Sequence, residues 1–173
     1  MNKKQSSQAI DSKTHSDKLS SYSGAIVLGL NDALVEISGA LVGLTIALSN
    51  SKLIATVGLI TGFAAALSMA ASEYLSAKED KRKKPLTASI YTGITYIIAV
   101  MILVAPYFIF SSAYTATGIM LLSVVGIIAA YTKYDSVIHK ESFRKKFIEM
   151  LSISLGVAII SFGFGMLVRN LIK

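Results

Sequence analysis

The chain has 173 residues, the length of a single domain, and 53% of them are hydrophobic while only 16% are charged. A soluble protein of this size cannot bury so much apolar surface, and the mean hydropathy of +0.62 indicates that lipid is the solvent. The absence of cysteine excludes disulfides and thiolate metal sites, and the net charge of +7 comes from short polar segments rather than from a surface for nucleic acid.

The first 22 residues are polar and rich in serine and lysine, and we expect them to form a flexible cytoplasmic tail. Residues 23–173 are expected to form one domain of five transmembrane helices, near residues 24–48, 53–77, 86–110, 114–133 and 147–169. Each run has about 20 mostly apolar residues, which is the length that an α-helix needs to cross the hydrocarbon core. The predicted fold class is an all-α integral membrane protein, because helices satisfy every backbone polar group within such a run.

Basic residues are distributed unevenly between the two ends of these five helices. Of the 17 lysines and arginines, all but Lys52, Arg169 and Lys173 lie in the N-terminal tail, in the link between the second and third helices, or in the link between the fourth and fifth. Cytoplasmic loops carry the excess of lysine and arginine in membrane proteins. The sequence therefore predicts a cytoplasmic N-terminus and a C-terminus outside.

The first helix contains the stretch "GLNDALVEISGALVGL", with two acids in a segment built for hydrocarbon. Asp32 and Glu36 lie about 40° apart on the helix, and Gly39 and Gly43 share their face. A carboxylate at the centre of a membrane helix costs about 2.5–3.5 kcal/mol, so these acids are expected to face protein rather than lipid. The second helix has a matching stripe of small and polar residues: Gly58, Gly62, Ala66, Met69, Glu73 and Ser76. The two stripes are expected to pack against each other or against a second copy.

The candidate metal ligands are Asp32, Glu36, Met69 and Glu73. Asp32 and Met69 both lie about 12 Å from the cytoplasmic ends of their helices, with Glu36 deeper and Glu73 shallower. The first two helices contain no lysine, arginine or histidine to neutralise these acids, which favours a bound cation over protonated carboxyls that join helices by hydrogen bonds. Carboxylates are hard ligands, whereas a thioether shifts the preference toward transition metals such as Fe²⁺. Ordinary packing is the alternative role for Met69.

At these residues the sequence resembles the vacuolar iron transporter family. The first helix is similar to the "NDGLV…AGL" pattern of that family, and "GFAAALSMAASEYLSAKED" is similar to its "GAxSMxxxEYLSxK" second helix. The resemblance implies a homodimeric five-helix carrier that moves Fe²⁺, and often Mn²⁺, out of the cytoplasm in exchange for protons. It also implies that Asp32 and Met69 occupy the intramembrane metal path.

Two departures from the family pattern bear on metal capture. Thr61 stands where some members carry a glutamate two turns before the methionine, and Glu36 and Glu73 are candidates to replace that acid. The link between the second and third helices is only "KEDKRKKP", whereas members of the family commonly carry a helical, glutamate-rich cytoplasmic domain there. The resemblance therefore leaves metal delivery to short loops or to a soluble, ferritin-like partner.

Other chemistry-bearing residues give weaker signals. Asp135 and His139 are four residues apart in the link before the fifth helix, with Glu141 nearby, and a solvated charged linker is favoured over a metal site there. Glu149 is expected near the membrane interface. The sequence has no zinc-protease, nucleophile-elbow or P-loop motif, so no enzyme is predicted.

The leading hypothesis is a multi-pass transporter in a prokaryotic cell membrane that exports Fe²⁺ or Mn²⁺ in exchange for protons. The metal is its transported substrate, and no cofactor is expected; the partners are the lipid bilayer, protons and a second copy of the chain. The alternative is a non-transporting membrane subunit or scaffold that anchors a soluble metal-handling protein.

Overall fold

The computed structural model describes residues 3–48, 50–82, 84–139 and 142–172, and the side chains of 23–48, 50–82, 84–137 and 142–171. Within these ranges the chain is all-helical, without a strand. The five helices are α1 (Lys3–Leu48), α2 (Ser51–Glu79), α3 (Pro85–Ile109), α4 (Ala113–His139) and α5 (Phe143–Ile172). Each contains a segment long and apolar enough to cross a membrane, which in α1 is Ser23–Leu48. The all-α membrane fold predicted from the sequence is confirmed.

Two helix boundaries differ from those predicted. The backbone of α1 is already helical at Lys3, before the predicted start near residue 24. The flexible cytoplasmic tail stays a prediction. The side chains of residues 1–22 lie outside the described part of the chain. The fourth helix continues to His139 rather than ending near 133, so the polar sequence that resembled a linker forms its last turns.

The bundle is organised around α1, which contacts all four other helices. Gly39 lies against Val157 and Ser161 of α5, and Gly43 lies against Ser161 and Gly165. Residue numbers rise together along both helices, so α1 and α5 run in the same direction. The glycines on α1 thus permit a close helix contact, as predicted, but with α5 of the same chain.

The small-residue stripe of α2 packs mainly on α3. A side chain added at Gly62 would meet Val100 of α3, and one added at Gly58 would meet Leu41 of α1 and Val104 of α3. The two predicted stripes therefore do not form one shared interface. The prediction that each stripe is a close-packing surface is correct, but the stripes pack mainly on α5 and α3 rather than on each other. Packing against a second copy stays a prediction.

Large apolar side chains cover the outside of the bundle. Many lie more than half exposed on α2, α4 and α5, among them Ile60, Leu122, Ile159, Ile160 and Leu171. The buried core between the helices contains the fully buried Leu34, Leu41, Ile54, Leu103 and Ile128. A bundle that is apolar both inside and outside suits lipid as the surrounding solvent.

Candidate metal site

Helix α1 brings Asp32 and Glu36 together, as their spacing predicted. Residues four apart lie one above the other on a helix surface. The two carboxyl groups lie close enough to interact; Asp32 is half-buried and Glu36 is exposed in the single chain. Two carboxylates this close repel each other when both are ionised. A cation at the pair would relieve this repulsion.

Tyr96 of α3 completes this cluster. Its side chain is fully buried, and its hydroxyl donates a hydrogen bond to Oε2 of Glu36 at 2.7 Å. The phenol also interacts electrostatically with Asp32. Sequence reasoning missed this residue, although a tyrosine inside the apolar run "GITYIIAV" gave a signal, since a buried tyrosine hydroxyl usually has a hydrogen-bond partner.

Glu36 opens onto a groove of about 640 Å³ between α1, α2 and α5. Among the described residues that line the groove, Glu36 is the only charged one, and most of the others are glycine, alanine or larger apolar residues. Thr61 of α2 lines the same groove, with its hydroxyl donating to the carbonyl of Val57 at 2.8 Å. Thr61 therefore shares its groove with Glu36. The replacement of the missing acid by Glu36 stays a prediction.

Glu73 lies in a different environment from the Asp32–Glu36 pair. Its side chain is only 5% exposed, and Oε1 accepts a hydrogen bond from Nη1 of Arg82 at 2.8 Å in an ion pair. The expectation that the acids of the first two helices lack a cationic partner is therefore wrong for Glu73, because the partner follows the end of α2 rather than lying inside a helix. Its role as a metal ligand stays a prediction, and it would require Arg82 to move away.

The turn that ends α2 explains how Arg82 reaches Glu73. The amide of Arg82 donates to the carbonyl of Ala77 at 2.9 Å, and the amide of Lys81 donates to Lys78 at 3.1 Å. Lys81 has a φ of 53°, the left-handed conformation that such a helix ending requires and that glycine usually supplies. The chain thereby folds back, so that Arg82 lies over the last turns of α2.

Met69 lies one turn before Glu73 and is half-buried against the apolar core. This position is compatible with the ordinary packing role, and its role as a soft ligand stays a prediction. Among the side chains that the structure describes, no three Asp, Glu or His residues come together in an arrangement that could hold a metal ion. In a single copy of the chain the predicted ligands therefore do not form one site: Asp32 and Glu36 form one pair, and Glu73 forms a separate ion pair with Arg82.

A second polar cluster lies between α1, α4 and α5. Asp135 is buried on α4 and forms an ion pair with Lys146 of α5, beside a cavity of about 240 Å³ that Asn31 and Glu149 also line. The expected solvated linker is therefore wrong for Asp135, because α4 continues through it and Lys146 balances its charge. The side chain of His139 and the whole of Glu141 lie outside the described residues.

The segment with the acid pair is also the segment that matches a known family. Residues 23–83, which include the membrane-spanning part of α1, all of α2 and every predicted metal ligand, match the model of the VIT family. The match covers about a third of the chain and shows that this segment is similar to the VIT family. The VIT family is a family of membrane transporters of metal ions. With its five apolar helices, the chain is a multi-pass membrane protein. No curated protein matches the chain.

Proposed function

We propose that the protein exports a divalent transition metal, Fe²⁺ or Mn²⁺, from the cytoplasm in exchange for protons. The observation that carries this proposal is the Asp32–Glu36 pair, which lies in a membrane-spanning helix within the segment that matches the VIT family. The pair has no cation among its described neighbours: α3 contributes Tyr96, and the groove beside Glu36 is otherwise uncharged. A mobile cation is the group that balances two such acids.

The exchange of metal for protons follows from the chemistry of the pair. Two adjacent carboxylates bind a divalent cation when both are ionised, and proton binding removes the charge that holds the metal. A site that alternates between these states, opened first to the cytoplasm and then to the outside, moves metal one way and protons the other. The thioether of Met69 would favour Fe²⁺ over Mg²⁺ or Ca²⁺ if that residue reaches the path.

The direction of export rests on the orientation of the chain. The basic residues are concentrated in the N-terminal segment and in the links that follow α2 and α4, which favours these parts on the cytoplasmic side of a prokaryotic cell membrane. With five crossings, the C-terminus would then lie outside. Fusing a reporter to each terminus and testing its accessibility in intact cells would check this orientation.

A homodimer is part of the proposal, and the exposure of Glu36 supports it. In one copy this carboxylate lies in an open groove at membrane depth, where contact with lipid would be costly. A second copy that covers the groove would remove that contact. It would also bring a second Asp32–Glu36 pair to the site, and four carboxylates are a more adequate ligand set for a divalent metal than two.

The alternative function is a membrane scaffold that anchors a soluble, ferritin-like metal-handling partner. The observation that favours it is the short connection between α2 and α3, where residues 80–84 separate the two helices and no further domain is inserted. In that case the acid pair would share a proton permanently and serve only to join helices.

Metal flux into proteoliposomes under an imposed pH gradient separates the two functions. Fe²⁺, Mn²⁺, Co²⁺ and Zn²⁺ are compared for the native protein, for Asp32→Asn, and for the control Glu79→Gln, which alters an exposed acid at the end of α2. We expect gradient-driven flux that falls at least about tenfold in Asp32→Asn and is unchanged in the control. Full flux in folded Asp32→Asn would remove the acid pair from the path. No flux of any metal in folded native protein would favour the scaffold.

A further inference from the structure

Tyr96 is the only described side chain outside α1 that the structure shows hydrogen-bonded to the acid pair. We propose that it is a positioning residue, which holds the Glu36 carboxyl group in one place within the proposed metal site. The inference rests on the proposed transport function and assigns a role to a residue outside the segment that matches the VIT family.

The phenol is suited to this role because its one hydroxyl group is a hydrogen-bond donor on a rigid ring. A tyrosine hydroxyl can donate to one oxygen of a carboxylate and leave the other oxygen available. Tyr96 is fully buried and its hydroxyl lies 2.7 Å from Oε2 of Glu36, so losing this partner without replacement would be unfavourable. The contact therefore fixes the position of the Glu36 carboxyl group.

Glu36 needs such an anchor because, without the hydrogen bond from Tyr96, its side chain would be free to move in the groove. Its side chain has three rotatable bonds and lies on an open wall lined by small and apolar residues. With Oε2 committed to Tyr96, the remaining oxygen is left for Asp32 or a bound metal. The described titratable groups that interact with Glu36 are Asp32 and Tyr96, while α2 and α5 line the groove with the uncharged Thr61 and Ser161.

The anchor itself is held firmly, because α3 is joined to α1 one turn before Tyr96. The hydroxyl of Thr92 donates to the carbonyl of Ala25 at 3.0 Å, and the backbone at Thr92 lies directly against Gly29. This close contact fixes the distance between the two helices. A phenol on a fixed helix preorganises the carboxylate that it contacts, which improves binding without adding a ligand.

The chain supplies a matched control in Tyr107 on the same helix. It is also fully buried, and its hydroxyl is hydrogen-bonded to Thr117 at 2.9 Å and to Thr45 at 3.2 Å. Tyr96→Phe and Tyr107→Phe each remove one buried phenolic oxygen from α3. Only the first removes a contact with a carboxylate of the proposed site, so a general effect on packing would appear in both variants.

The experiment measures initial rates of Mn²⁺ and Fe²⁺ flux in proteoliposomes over a range of metal concentrations, for the full chain and both variants. We expect Tyr96→Phe to raise the KM for metal about tenfold with Vmax within about twofold of native, and Tyr107→Phe to leave KM within about twofold. In a Glu36→Ala background, Tyr96→Phe should have no further effect on KM, because it acts through Glu36. Circular dichroism verifies that each variant is folded.

Three results would overturn the inference: an unchanged KM in Tyr96→Phe, an equal rise in Tyr107→Phe, or an additional rise when Tyr96→Phe is combined with Glu36→Ala. If Tyr96→Phe does not fold, Glu36→Ala alone decides, since an unchanged KM in that variant leaves Tyr96 with nothing to position. No flux in the native protein would overturn the proposed function and this inference together. Native flux with an unchanged KM in Tyr96→Phe would overturn only the role of Tyr96.

Discussion

The contact between α1 and α5 depends on Gly165, and replacing this glycine by alanine should separate the two helices. A Cβ atom at position 165 would lie 2.5 Å from the carbonyl oxygen of Gly43 and 3.1 Å from its Cα. These atoms belong to the backbone, so no side-chain rotation can relieve the clash. Ordinary van der Waals contact requires about 3.5–4.0 Å, and one helix must therefore shift by roughly an ångström.

Gly163 provides the control, since it lies two residues earlier on α5 with no atom within 4 Å of an added Cβ. Alanine at either site brings a gain in helix propensity of about 1 kcal/mol, and this gain cancels when the variants are compared. Overpacking costs about 1–3 kcal/mol, so Gly165→Ala should be less stable than Gly163→Ala by that amount. The free energy of unfolding is measured by circular dichroism during titration of mixed micelles with a denaturing detergent. Equal stability of the two variants would refute the close contact.

Two ion pairs give further stability predictions. Arg82→Ala should destabilise the fold by about 2 kcal/mol, a value between those for surface and buried ion pairs, because Arg82 is 43% exposed while Glu73 is 5% exposed. Unfolding in detergent measures this loss, and the double variant Arg82→Ala/Glu73→Gln should recover part of it. Lys146→Met should also destabilise by about 1–3 kcal/mol, because it removes the ammonium group that balances the charge of the buried Asp135, and adding Asp135→Asn should restore much of the loss. In either case, a double variant no more stable than the single one would contradict the pairing.

The number and type of helices could be predicted because a membrane imposes a length and a composition on each span. The boundary at the end of α4 could not be predicted, because a charged residue such as Asp135 is typical of a loop. Its burial depends on the ion pair with Lys146, eleven positions later in the sequence. A polar residue with a distant ionic partner looks solvated in the sequence. The pairing becomes visible only when α4 and α5 are placed side by side.

The candidate site shows the same division between local and long-range information. The spacing of Asp32 and Glu36 places them together on any helix, and the structure agrees. Glu73 shares a face with Met69 by the same rule, yet the turn at Lys81 brings Arg82 back to neutralise it. Helical periodicity thus identifies which residues share a face, but it does not identify the residues that other segments bring to that face.

The glycines illustrate why a packing surface and its partner are separate questions. Gly39 and Gly43 were predicted to allow close approach, and they do, because the absence of a side chain has the same consequence whichever helix arrives. The sequence pattern did not indicate whether α2 or α5 would pack on these two glycines. α5 packs on these two glycines, and α3 packs on most of the stripe of α2. The groove beside Glu36 is therefore bordered by helices that already pack on one another within the chain. A partner that covers Glu36 therefore needs to fill only the groove, without displacing a helix contact on which the fold depends.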